Sequence, residues 1–289
     1  MKEFASCKQA MESCMQTKTF AVAHLYKEEK TMDMHIHDCC EIYFSISGGK
    51  QFLIDNKFYS ISPGDLFAIN QYESHYLTQI DRAVHERIVI SVHPDYVKFL
   101  SRGSVNLGEC FEKRNGNFSH RISLSKEQKQ RFLYLVNKIC DVPEYGGEVL
   151  EEAAFMELMV LINSAFRGSG ARKNLKKDND SAGYNRQVDE ILAYINRNIA
   201  NELSIGSLAS HFFMSESYIC RIFKAATGTT INKYITARRI SIAKALLNEG
   251  LNVQDAYEQS GFSDYSTFFK AFGKAVGLSP KRYSQCSIR

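Results

Sequence analysis

The stretches MSESYICRIFKAATG, Met214–Gly228, and SDYSTFFKAFGKAVG, Ser263–Gly277, decide how the second half of this chain folds. The first starts at a serine cap and ends at Gly228, a residue suited to the left-handed turn past a helix end. Apolar residues recur inside both at helical spacing: Ile219, Ile222 and Phe223 in one, Phe268 and Phe272 in the other. The two stretches also match each other. Arg221-Ile222-Phe223 precedes Gly228 at the spacing at which Lys270-Ala271-Phe272 precedes Gly277. One helical unit is therefore used twice.

Each stretch follows a shorter helical run, ELSIGSLASHF with Ser204 as its N-cap in the first case and NVQDAYEQSGF in the second. The long run TINKYITARRISIAKALLNEG, stopping at Gly250, joins the two pairs. Ahead of them all, NRQVDEILAYINRNI puts Val188, Ile191, Leu192 and Ile195 on one face. Two short helix pairs joined by a long helix are what a double helix-turn-helix DNA reader requires. With the apolar stripes turned inward, Glu216, Ser217, Cys220, Arg221 and Lys224 face outward in the first unit. Tyr265, Ser266, Phe269 and Lys270 do so in the second. Charge points the same way. Residues 184–289 carry 13 Lys and Arg against 8 Asp and Glu, and the preceding residues 23 against 24. A basic back half behind a near-neutral front half suits a polyanion partner.

GFSDYSTFFKAFGKAVGLSPKRY and MSESYICRIFKAATG resemble the signature of the AraC/XylS transcription regulators, and ARRISIAKALL resembles the helix between their reading units. The resemblance covers residues 187–284. It implies a regulator of double-stranded promoter DNA, paired as a homodimer, with RNA polymerase as a further partner if it activates. Ser217, Cys220 and Arg221 would read DNA from the first recognition helix. Tyr265, Ser266, Phe269 and Lys270 would read it from the second, and Lys224 adds a phosphate-directed charge. Two positions depart from the pattern. Ala256-Tyr257 stands where an apolar residue followed by a small one is usual, so the tyrosine is expected to overpack the helix crossing. Gly273 stands where Lys or Arg is frequent.

The front half reads differently. EIYFSIS, KQFLID, KFYSI, DLFAIN and RIVISV are short runs rich in Ile, Phe and Tyr, punctuated by SGGK, DNK and SPGD. They predict an antiparallel β-barrel or sandwich. Helical spacing follows at 125–140, through Phe132, Leu135, Val136 and Ile139, and at 148–166, through Leu150, Ala154, Leu158, Leu161 and Ala165. The polar run RGSGARKNLKKDNDSAG then reads as a linker. The expected fold class is α+β, in three parts. Residues 1–166 form a β-barrel with dimerisation helices, 167–183 a linker that few contacts should cross, and 184–289 an all-α double helix-turn-helix domain.

The stretch HIHDCCE, His35–Glu41, contains two histidines one residue apart and a carboxylate four residues later, a plausible set of metal ligands. His35-x-His37-x-x-x-Glu41 resembles the first cupin motif, and SPGDLFAINQYESHY resembles the second, with His75 in its histidine position. The resemblance implies a cupin-like barrel in which His35, His37, Glu41 and His75 share a pocket. They would hold a small-molecule effector, with a carbohydrate as the common use in the family, or a divalent metal (Zn, Fe, Mn or Ni); no cofactor is required. The alternative function is a cupin-type metalloenzyme for a sugar or aromatic substrate with an accessory DNA domain. His24, His85 and His93 read as ordinary polar residues. The vicinal pair Cys39-Cys40 is either a thiol sensor or two small strand hydrophobes.

Eight cysteines with no C-x-x-C pair do not suggest a disulfide framework. The start MKEFASCKQAMESC lacks an apolar h-region, and no run approaches the roughly 18 apolar residues of a membrane span. The expectation is a cytoplasmic protein without a membrane partner.

Overall fold

The structure is a computed structural model that describes residues 4, 6–26, 35–47, 51–55, 57–71, 73–78, 85–112, 118–171 and 183–287. It opens with helix α1 (Cys7–Thr17), capped by Ser6, whose hydroxyl accepts the Gln9 N–H at 3.3 Å. Strands β1 (Phe20–Leu25), β2 (Cys40–Ser45), β3 (Gln51–Ile54), β4 (Lys57–Ser60), β5 (Leu66–Ile69), β6 (His75–Thr78) and β7 (Arg87–Val92) follow. After α2 (Pro94–Leu100) and α3 (Glu109–Glu112), the short β8 (Arg121–Ile122) leads into α4 (Lys126–Cys140) and α5 (Gly147–Ala171).

The strands form two antiparallel sheets, one in the order β1-β7-β2-β5-β8 and one in the order β4-β3-β6. All six residues of β2 are buried, because this central strand is covered on both sides. Side chains alternate across a strand. Cys40, Ile42 and Phe44 therefore meet Phe132 and Phe155 of the helices, while Tyr43 meets Phe52, Tyr59 and Leu77 of the smaller sheet. Glu41 falls on the same side as Tyr43, inside the sandwich. Among the described residues the expected barrel is not closed. The strands of the smaller sheet are four residues long, and among the described residues the free side of β6 meets only an isolated bridge between His35 and His75.

Helices α4 and α5 lie where the periodicity puts them, with Phe132, Leu135, Val136, Ile139, Ala154, Leu158 and Ala165 buried. Leu150, expected in the same stripe, is exposed, because it lies in the first turn of α5 before that helix reaches the sheet. Part of the expected linker is helical: α5 continues through Ala171 and α6 (Gly183–Arg197) begins at Gly183. Residues 172–182 lie outside the described residues.

The back half contains α7 (Ile205–His211), α8 (Glu216–Thr227), α9 (Ile231–Asn248), α10 (Val253–Gln259), α11 (Tyr265–Val276) and α12 (Pro280–Ser287). Ser204 caps α7 and Ser215 caps α8, accepting backbone N–H groups at 3.0 and 3.3 Å, and Gly228 ends α8 in the left-handed region. Val188, Ile191, Leu192 and Ile195 are all buried, as their spacing requires. The second helix pair touches the α6–α7 connection through backbone. Gly261 has φ +87°, and a side chain there would begin 2.3 Å from the Ile199 carbonyl oxygen. Arg239 of α9 fastens the same seam by donating to the carbonyls of Ile199 at 3.1 Å and Asn201 at 2.8 Å.

The halves do not stand apart as the linker suggested. Leu53 and Phe58 of the smaller sheet lie in one apolar cluster with α6, α8 and α9, and Asp55 and Asp38 pair with Arg238 and Lys244 of α9. Among the described residues, no helix is long and apolar enough to cross a membrane.

Two glycines test this packing in opposite directions. Gly261→Ala combines a left-handed φ with a backbone clash and should cost about 2–4 kcal/mol. Gly273→Ala meets nothing within 4 Å and should add about 0.5–1 kcal/mol of helix stability. Urea unfolding of the two variants reads both signs.

Candidate functional site

Two places collect chemistry-bearing side chains: the outer faces of α8 and α11, and a small cavity between the sheets. In α8, Ile219, Ile222 and Phe223 are buried, while Ser217, Arg221 and Lys224 are exposed and Cys220 is half-buried. The Arg221 guanidinium lies 5.4 Å from the Tyr218 ring centroid. In α11, Phe268 and Phe272 are buried, leaving Tyr265, Ser266, Phe269 and Lys270 exposed. Tyr265 and Phe269 stand side by side, with centroids 6.2 Å apart. Apart from Tyr265, which packs on Tyr257 and Phe268, these outer residues are open to a partner.

Tyr257 does not overpack the second unit. Ala256 takes the buried crossing, while Tyr257 turns to the flank and packs on Tyr265 and Phe268 at 5.6 and 5.7 Å. The pair is shifted by one position from the expected order, and the small residue still lies where the helices cross.

The cavity lies where β2, β6 and the segment before β2 converge. The backbones of His35 and His75 exchange hydrogen bonds at 3.3 and 3.2 Å, and their rings lie 4.1 Å apart. His37 donates from Nδ1 to the Cys39 carbonyl at 2.8 Å and sets Nε2 3.2 Å from Glu41 Oε2. His75 donates from Nδ1 to the Glu73 carbonyl at 3.1 Å, and its Nε2 lies 3.7 Å from the same carboxylate oxygen. The ligand nitrogens of His35, His37 and His75 all lie within 4.8 Å of one another. The four residues are thus brought together: His35, Glu41 and His75 line the cavity, and His37 stands behind it against Glu41. Tyr43, Phe52, Leu77, Val89, Cys7 and the buried Arg87 complete walls that leave room for little more than a water molecule.

Charge inside this cavity is divided. Burial would raise the Glu41 carboxyl, but His75, His37 and His35 outweigh it and bring it down to about 2. His75 is pushed down to about 3, by burial first and by His35 next. For His37, burial opposes the charge, but Cys39 and Glu41 more than compensate and hold it well above the usual histidine range. At neutral pH, then, an ionised Glu41 faces a neutral His75 whose Nε2 makes no hydrogen bond.

His24 and His93 behave as ordinary polar residues. His24 bonds Glu86 at 2.9 Å, and His93 caps α2 by accepting the Asp95 N–H at 3.3 Å. Cys39 and Cys40 are buried on opposite faces of their strand, which suits small hydrophobes. The hydrogen bond with Cys14 and burial push the Cys39 thiol well up, away from the reactive thiolate. Arg87, Cys7 and Tyr43 escaped notice in the sequence. The one available signal was an arginine at the head of the apolar run RIVISV.

Residues 208–285 match the helix-turn-helix domain family, and residues 19–133 match the AraC-like ligand binding domain family. The chain is 26% identical over 233 residues to the HTH-type transcriptional regulator YbfI of Bacillus subtilis, covering 80% of this chain and 79% of that one. It is 35% identical over 101 residues to the melibiose operon regulatory protein of Escherichia coli, covering 35% of this chain and 33% of that one. It is 22% identical over 275 residues to the HTH-type transcriptional activator RhaR of Cronobacter sakazakii, covering 93% and 92%.

The division of α11 into a buried and an open face can be checked by two neighbouring truncations. Phe268 is fully buried, and Phe268→Ala should cost about 3–5 kcal/mol. Phe269 is 45% exposed, and Phe269→Ala should change stability by less than about 0.5 kcal/mol. Thermal unfolding distinguishes them.

Proposed function

We propose that this chain, which belongs to the AraC/XylS family of transcription regulators, reads promoter DNA with α8 and α11 under the control of a ligand in the His35–His37–Glu41–His75 cavity. Its relatives are named as transcriptional regulators and activators. It is therefore a regulator and not a metalloenzyme with an accessory DNA domain.

One observation carries the DNA reading: the second helix of each repeated pair buries its apolar stripe and leaves its polar face open. Such a helix can enter a major groove without unfolding anything. Arg221 offers a planar fork matched to guanine O6 and N7, with Ser217 and Cys220 beside it. Lys224 and Lys270 serve phosphates as point charges. Tyr265, Ser266 and Phe269 give the second unit an apolar surface suited to thymine methyl groups. The second subunit of a homodimer would pack on α4 and α5, where Tyr134, Val149, Leu150 and Val160 are exposed. RNA polymerase is a further partner if the protein activates, and the cytoplasm is the fitting compartment.

For the effector, one relative is named for an operon of the sugar melibiose, which supports a carbohydrate. The cavity is tight, so a sugar enters only if its walls part. A second reading is favoured by the arrangement of acceptors: His75 Nε2 presents a lone pair to a carboxylate oxygen 3.7 Å away. A divalent cation satisfies both at once. The Nδ1–H groups of His37 and His75 are committed to backbone carbonyls, the outer support that directs Nε2 towards a metal. His35, His37, His75 and Glu41 would then be the ligands, and Zn, Fe, Mn or Ni suits three imidazoles and a carboxylate. A bound ion would supply a fixed positive centre.

Arg221→Ala should weaken specific promoter binding by about 1–3 kcal/mol with helical content unchanged, measured by titration and circular dichroism. An unaltered footprint would exclude α8 as a reading helix. For the cavity, a thermal-shift panel of sugars and divalent metals on the full chain decides between the readings. A true ligand at 100 times its Kd adds about 2.7 kcal/mol. His75→Ala should remove that gain whichever ligand produces it.

A further inference from the structure

Two carboxylates of the sensor half grip α9, the helix that joins the reading units. Near the start of α9, Asp55 pairs with Arg238, and its backbone carbonyl accepts the Tyr234 hydroxyl at 3.1 Å. Asn196 ties this end together, donating to the Tyr234 hydroxyl at 2.7 Å and accepting from Arg238 at 2.8 Å. Further along, Asp38 pairs with Lys244, whose side chain is almost entirely buried, and accepts the Tyr283 hydroxyl of α12 at 3.3 Å. Leu53 and Phe58 supply the apolar seat between the halves, and Tyr76 of β6 lies directly against Gly228 at the end of α8. Both reading units are therefore held by the sensor: the first at Asp55 and Tyr76, the second at Asp38.

The grips differ in one respect. Asp55 lies at the turn between β3 and β4, its N–H on the Ser74 carbonyl at 2.6 Å, and no histidine adjoins it in the chain. Asp38 lies in the segment between His37 and Cys39, and its neighbour His37 spends both ring nitrogens inside, one on the Cys39 carbonyl and one near Glu41. Consecutive α-carbons are about 3.8 Å apart and joined by a planar peptide. A shift of the His37 backbone that carries its ring towards a new partner therefore also moves the Asp38 carboxylate. The outer faces of α8 and α11 stay exposed in the docked arrangement, so docking restrains the orientation of the reader and does not cover it.

We infer that Asp38 is the positioning residue that couples the histidine cavity to the DNA-reading half. With His37 on Glu41, the Asp38 carboxylate holds Lys244 and Tyr283, and a ligand that draws His37 inward releases them. The loosening is local to α12 and the second half of α9, because the Asp55 grip and the Gly261 seam hold the rest of the helical half in place. The proposal rests on the reading of the cavity as the effector site and names how its occupancy is transmitted.

The test uses the full chain without any ligand, by hydrogen exchange with mass spectrometry. Asp38→Asn should speed exchange in α12 and the second half of α9 by about tenfold or more, leaving α6 and α8 as they were. Lys244→Met should do the same. The two changes together should loosen α12 no further than either alone, because they break one contact. The decisive variant is His37→Asn, which touches neither Lys244 nor Tyr283 and keeps a polar side chain in the cavity. It should reproduce the loosening of α12, while Asp55→Asn should not. Wild-type exchange in α12 of His37→Asn overturns the coupling. So does a loosening that spreads equally through β2, β5 and β7, which would reduce His37 to structural support. No ligand enters these measurements, so their failure leaves the ligand panel standing, and a panel without a hit leaves the coupling standing.

Discussion

An ionised carboxylate inside an apolar sandwich is the constraint around which the sensor half is built. Glu41 lies on the central strand of the larger sheet, on the side facing Tyr43, Phe52 and Phe67, where a charge without partners would be expelled or neutralised. Three imidazoles surround it, and the protonated His37, 3.2 Å away, supplies the opposing charge. The imidazoles come from two separate places: His35 and His37 from the segment before β2, and His75 from the smaller sheet. Holding one carboxylate thus brings the edge of one sheet against the centre of the other. It also fixes the course of the chain from His35 to Glu41, and with it the place of Asp38. The polar centre sets the geometry of the apolar sandwich around it.

The helical half follows a simpler rule. Every helix buries one stripe, and caps and glycines set the ends. That rule is local, and for this reason it was legible in the sequence: Val188, Ile191, Leu192 and Ile195 repeat at 3.6 residues, and the cap at Ser215 and the stop at Gly228 bound α8. The strands were legible through their punctuation, since SPGD and DNK mark turns whatever the sheet does. The four residues around the cavity left a trace in their spacing, His35-x-His37-x-x-x-Glu41 with a later His75, although His35 and His37 lie in the segment before β2 and not in a strand.

What could not be read was anything decided by distant partners. Asp38 and Tyr283 are 245 positions apart, and neither carries a sign that it will meet the other. The same holds for Asp55 and Arg238. A charged residue in a polar run reads as solvated until tertiary structure supplies its partner, and so the halves looked independent. The open sandwich, seen among the described residues, was hidden for a related reason, since closure depends on how strands pair and stagger and hydrophobic alternation says nothing of it. Tyr257 was misjudged by one position in a short helix, where a turn of about 100° per residue separates a buried crossing from an open flank.

The backbone seam at Gly261 has a consequence for any duplex that the reader binds. With Gly261 seated on Ile199 and Ala200, and Arg239 bonded across the same line, the two helix pairs cannot swivel about α9 to suit their target. The DNA must supply the match. Helical phase then matters more than sequence between the contacted bases: about five inserted base pairs would carry the second contact to the far side of the duplex, and about ten would return it one turn too distant. A reader of this kind measures its operator as a rigid gauge does, and single-base insertions between its contacts should be less tolerated than substitutions there.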